Sequence, residues 1–148
     1  MKAEDLGAVL GLHKKSLLGY ADGKRADLTR ADLKDANLTR ANLASAVLRS
    51  ADLTDANLTR AVLTRADLRS ADLTGAVLTG ADLTGADLAG AVLTGAVLTD
   101  ANLTSITLCG ACIDGAILSQ NALAGPGHIL CALTDAEWEL IKKGRETK

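Results

Sequence analysis

Three cysteines and two histidines are the side chains of this 148-residue sequence best suited to chemistry. Cys109 and Cys112 read C-x-x-C, and His128 with Cys131 follows as H-x-x-C, a ligand set and spacing compatible with tetrahedral zinc. Each cysteine also has a plainer explanation in a repeat described below: Cys131 fills a small-residue slot, Cys112 an Asp or Asn slot, and Cys109 a Thr slot. Free thiols in a reducing compartment are the expectation, ahead of a Cys109–Cys112 disulfide or a metal site. His13 and His128 stand at opposite ends of the sequence, and no nucleophile elbow, phosphate loop or H-E-x-x-H occurs. Asp32, Asp52 and Asp72 recur at intervals of twenty. Such a column is chemically repetitive, whereas an acid/base pair needs two carboxylates in different surroundings. No catalytic residue, metal, cofactor or small-molecule substrate is expected.

The residues that must position these groups follow a five-residue beat. Leu or Ile falls on every fifth position from Leu28 to Leu118, and Ala stands two places earlier in every repeat except at Ile106. Ala and Leu are strong helix formers, yet five residues advance about 500° on a helix, so successive leucines would scatter around it. Two residues apart is instead the strand period, and the intervening polar pair suits a turn. Four pentads closing one square coil of twenty residues would point every Ala and Leu inward. Coils would then stack at roughly 4.8 Å, with a continuous apolar core along the axis. A core so narrow has no room for aromatics, and the sequence holds one Trp, one Tyr and no Phe. Ile106, bulky in the small slot, is expected to bulge the wall locally or to lie beside a smaller neighbour.

The segments ADLTR at 26–30, ANLTR at 56–60 and ADLTG at 81–85 resemble the A(D/N)LXX consensus of the pentapeptide repeat family. That resemblance implies an all-β fold, a right-handed quadrilateral β-helix, here with short helical caps. It implies little about activity. Some members look like duplex DNA in shape and charge and protect or inhibit DNA gyrase.

An open solenoid exposes unpaired strand edges, so both ends need lids. Residues 1–23 are expected to form an N-terminal cap, with Leu6, Val9, Leu10 and Leu17 on one helical face. Residues 24–125 form the repeat body, with an irregular first coil because Gly23 takes a Leu position. Residues 126–148 are expected to form a C-terminal cap, in which Thr134 and Glu137 make a capping box and Trp138 covers the last coil. No run of 18 apolar residues occurs, so no membrane association is expected. The apolar stretch from Leu6 to Leu12 follows Glu4 and Asp5 rather than a basic cluster, which argues against a signal peptide and for the cytoplasm.

Function is then left to the outward positions. Residues 24–70 hold nine Lys or Arg against six Asp, and residues 71–130 hold five Asp with no Lys or Arg. In the later half Val77, Val92, Val97 and Ile117 replace the usual Asp or Asn on two adjoining faces. Valine is a good strand former at a half-buried position; a contiguous apolar column is also the mark of a protein contact. The expected function is a non-enzymatic module presenting a rigid surface to a protein partner or to its own copy. A DNA mimic directed at gyrase or another DNA-binding protein is the alternative, opposed by a net charge of only −2 and by the arginines that interrupt any acidic column. Direct nucleic-acid binding is not expected, for want of an aromatic platform. Threonine ladders such as Thr39, Thr59, Thr79 and Thr99 suit ice ordering less well than simple turn formation.

Overall fold

Each five-residue unit closes on itself and then pairs with the unit twenty positions away. The computed structural model describes residues 3–119. From Asp27 onward, parallel pairing joins the residue before each Leu to its counterpart one coil on: Asp27 to Val47, Asp32 to Asp52, Asn37 to Asn57, Asn42 to Val62, and so along the stack. Pairing lengthens to two residues between β1 (Val97–Leu98) and β2 (Ile117–Leu118). The result is a β-helix with four pentads per coil.

The pentad Ala51 to Asp55 shows how the backbone is satisfied. Asp52 N–H donates back to the Ala31 carbonyl at 2.9 Å, while Leu53 N–H donates forward to the Asp72 carbonyl at 2.7 Å. Asp55 N–H reaches the Thr74 carbonyl at 2.9 Å, and Ala56 N–H closes the turn onto the Leu53 carbonyl at 3.0 Å. Only Thr54 N–H lacks a backbone acceptor, and the Asp52 carboxylate takes it at 3.0 Å. Almost every backbone donor in a folded chain must find such a partner.

That turn bond requires a left-handed residue in the fifth place. The non-glycine fifth residues, from Arg30 to Ser105, have φ of 52° to 59°, and the glycines from Gly75 to Gly115 have φ of 65° to 67°. Positive φ at the third residue of a four-residue turn is the type II requirement, and a Cβ is strained there. The glycines therefore relieve strain that Arg, Asp and Ser carry elsewhere in the stack.

Inside, Leu38 through Leu108 and the small Ala side chains form one continuous buried cluster. Ile106 is buried in the small slot without breaking the coil, since Thr107 still pairs with Asp87. Its extra bulk instead stretches its own turn bond, to Leu103, to 3.4 Å against 3.1 Å at Ala101 and Ala111. A small cavity of about 20 Å³ lies beside it, bordered by Leu83, Leu103 and Leu108.

At the start, α1 (Ala3–Leu17) lies against the core through Leu6, Val9 and Leu10. Leu17 does not join them. It is 41% exposed, because the helix ends there and the chain turns away through Leu18 and Gly19. The returning chain is tied to the helix by Lys24 N–H onto the Leu12 carbonyl at 3.1 Å. Gly23 passes so close to Ser16 that a Cβ would collide with the Ser16 backbone, and the first coil is irregular accordingly. The cap is held by His13, which is 1% exposed and accepts the Ala26 N–H on Nδ1 at 3.1 Å. The expected C-terminal cap at Thr134, Glu137 and Trp138 falls outside the described residues.

Two outcomes test these constraints. At Gly95 a Cβ would meet nothing within 4 Å, so Gly95→Ala isolates the backbone term and should cost about 1–2 kcal/mol in chemical denaturation. For His13, burial is the main influence lowering its pKa from 6.5, with the Arg25 charge adding to it. The unfolded chain then takes up the proton first, so stability is full above pH 6.5 and declines as pH falls below that value. His13→Ala should flatten this dependence and cost about 1 kcal/mol at neutral pH.

Candidate interaction surface

The second position of each pentad faces outward and decides what each side of the solenoid presents. Where it is Asp or Asn, the side chain accepts the backbone N–H two residues on: Asp27 from Thr29 at 3.1 Å, Asn57 from Thr59 at 3.0 Å, Asp82 from Thr84 at 3.0 Å. Several threonines add their hydroxyl, as Thr74 does to Asp72 at 2.6 Å. This explains both the Asp or Asn and the Thr of the repeat, and it employs the Thr ladders locally.

Asp32, Asp52 and Asp72 do stack in one parallel-paired column. The hydrogen bonds from the Thr54 hydroxyl and N–H hold Asp52 below its usual carboxylate pKa, with help from the Lys34 charge. Asp27 is lowered likewise, first by the Thr29 hydroxyl, then by the Thr29 N–H. Thus Asp52, in the middle of its column, is a capped anion with no raised pKa to offer a general acid. The column ends at Val92 and Cys112, which continue its pairing. On another side Asp67 is flanked by Arg49 at 2.6 Å and Arg69 at 2.7 Å. Opposite charges therefore interleave along that face.

Val77, Val97 and Ile117 stand in direct register, continuing a column begun by Asn37 and Asn57. Val77 and Val97 are half-buried and Ile117 is 55% exposed. Val92 is half-buried on the preceding face, across a corner occupied by Gly75, Gly95 and Gly115. The same corner carries Thr74, Thr94 and Asp114, and the Asp55 carboxylate reaches over Gly75; the space is open at Gly95. A valine accepts nothing, and Thr79 and Thr99 accordingly make no N–H or hydroxyl hydrogen bond among the described residues. Sequence reasoning missed these free donors. The signal was present, in a Thr retained after the Leu although the preceding Asp or Asn had gone.

Cys109 and Cys112 lie on either side of a corner and do not bridge each other. Cys112 is a free thiol near the Thr94 hydroxyl, whereas Cys109 is disulfide-bonded, contrary to the expectation of free thiols throughout. His128 and Cys131 fall outside the described residues. Among the described residues no three His, Cys, Asp or Glu side chains converge on a metal position. None of their helices is long and apolar enough to cross a membrane.

A family model for pentapeptide repeats matches residues 14–43, 41–80 and 77–120, in eight copies. The chain belongs to the pentapeptide repeat family. Among solved members, Rfr23 from the cyanobacterium Cyanothece 51142 is 35% identical, with a TM-score of 0.54 over 74% of this chain and 69% of that one. A pentapeptide repeat protein of the Arabidopsis thaliana thylakoid lumen is 29% identical, with a TM-score of 0.64 over 81% and 77% of the two chains. No curated protein matches the chain. Family members with solved structures form β-helices, in keeping with the twenty-residue register seen here.

The capped carboxylates give a measurable signature. A depressed pKa contributes stability that is present above the ordinary carboxylate value of 3.8 and is lost as pH falls through the folded value. Replacing Asp27 and Asp52 by Asn keeps both acceptors but removes the titration. Denaturation midpoints of that variant should lie below the native chain's at neutral pH, decline less steeply as pH falls, and approach the native values in acid.

Proposed function

We propose that this member of the pentapeptide repeat family is a non-enzymatic interaction module, a right-handed four-sided β-helix whose rigid surface docks a protein. The contact is the column of Val77, Val97 and Ile117 with Val92 beside it. The observation that carries this reading is the register: three apolar residues on successive coils, bordered by a glycine corner and by threonine N–H groups without acceptors among the described residues. Contiguous apolar surface with unused polar groups at its rim has the composition of a protein contact.

The DNA-mimic alternative has less to support it. A stand-in for duplex DNA needs unbroken columns of negative charge. Here the Asp32, Asp52 and Asp72 column gives way to Val92, and Arg49 and Arg69 neutralise Asp67.

Val77→Asp with Val97→Asp tests the contact without unfolding the coil. Asp already occupies this position at Asp52 and Asp72, and the new carboxylates would accept the Thr79 and Thr99 N–H groups. The double variant should retain its thermal stability, while affinity for the partner or for a second copy drops at least a hundredfold, because two carboxylates would be desolvated against apolar surface. Sedimentation measures self-association, and pull-down from the native host measures partner capture. A folded variant that associates as the native chain does removes the Val column from the contact.

A further inference from the structure

We propose that the face carrying Asn37, Asn57, Val77, Val97 and Ile117 docks on the same face of a second copy. The two solenoids lie side by side and parallel, related by a two-fold axis along their length. This rests on the reading of the Val column as a protein contact and names its occupant.

A two-fold axis of that kind sets every residue of the column against its own copy, so any charge there would meet its like. This column is the one of the four with no charged residue in the outward position; the others carry Asp27, Asp32 and Asp82 among their members. Val77, Val97 and Ile117 then meet Val77, Val97 and Ile117 on three successive coils. Reversing one copy about the midpoint between Val77 and Val97 would instead set Ile117 against Asn57.

The edges of the face are complementary in the same register. The corner before it carries Asp35 and Asp55, then glycines, with Lys34 beside Asp35 and Asp114 at the far end; the corner after it carries Arg40 and Arg60 behind a row of threonines, with Asp100 further along. A lengthwise two-fold axis brings each edge against the opposite edge of the second copy. Asp35 and Asp55 of one copy thereby face Arg40 and Arg60 of the other, and Thr79 and Thr99 come over Gly75 and Gly95. Space is open at Gly95, where a Cβ would touch nothing, whereas the Asp55 carboxylate reaches over Gly75 and stands beside the incoming Thr79. Hydrogen-bonding capacity matches as well. The Thr79 and Thr99 donors are unused, and the Gly75 and Gly95 carbonyls accept no backbone hydrogen bond among the described residues.

Charge exchange at the edges tests this register. One variant carries Arg40→Glu and Arg60→Glu, making both edges acidic; the other carries Asp35→Arg and Asp55→Arg, making both basic. All four positions are exposed, and the fifth place of the pentad already holds both Arg and Asp with positive φ, so each variant should fold. Sedimentation of the full chain should show a dimer for the native protein and at least a tenfold weaker dimer for each variant alone. An equimolar mixture of the two variants should recover the dimer. A native chain that stays monomeric at the highest soluble concentration overturns this proposal and leaves the Val column to another protein. A native dimer whose charge variants remain dimeric, or whose mixture does not recombine, overturns the register. A dimer that survives Val77→Asp with Val97→Asp overturns both the proposal and the contact reading beneath it.

Discussion

Every side of this solenoid depends on one hydrogen bond, from an alanine N–H to the leucine carbonyl three residues before it, seen for example between Ala56 and Leu53 at 3.0 Å. The bond closes a turn in which the fifth residue must take positive φ, and all regularity follows from that closure. Because each turn consumes the same two residues, Leu and Ala always re-emerge facing the axis. After four such turns the chain lies beside itself with the same carbonyls and amides in reach. Replacing a five-residue side by one of four or six would break the pairing of every later coil, since Val77 pairs with Asn57 and with Val97 through the same offset of twenty.

The outward second position is where fold and function compete. An Asp or Asn there completes the backbone by accepting the N–H of the residue after Leu, so polar choices are structural first. Surface charge is a by-product of that role at Asp52, whose carboxylate is already engaged by Thr54. Val77 and Val97 give up this bond and leave Thr79 and Thr99 without an acceptor among the described residues. Strand propensity alone accounts for a valine, but it does not account for a column of them in register beside unpaired threonine amides.

Much of this was legible beforehand because the repeat leaves few alternatives. A beat of five excludes a helix by angle alone, and the assignment of Leu28 through Leu108 to the interior required nothing further. The column memberships followed from counting by twenty. Other features were hidden for physical reasons. His13 is held by the Ala26 amide, a group every residue except proline possesses, thirteen positions away, so its type and spacing carry no signal. Leu17 matched the helical face by period, yet the helix stops there and its side chain projects outward. Free thiols were the expectation from the sequence, with a Cys109–Cys112 bridge as a lesser alternative; Cys109 is instead disulfide-bonded, while Cys112, on the next side of the coil, is free.

The amino-acid order by itself determined the period, the apolar axis and the four outward columns, because these depend only on which residues recur at five and at twenty. Tertiary structure decided which polar groups remain unused, since that depends on whether a neighbouring coil or side chain reaches each donor. It also decided that Leu18 and Tyr20 are exposed beside the cap, and that His13 is enclosed. Those outcomes arise where residues from separate turns meet in space, and a linear pattern contains the neighbours without containing the meeting.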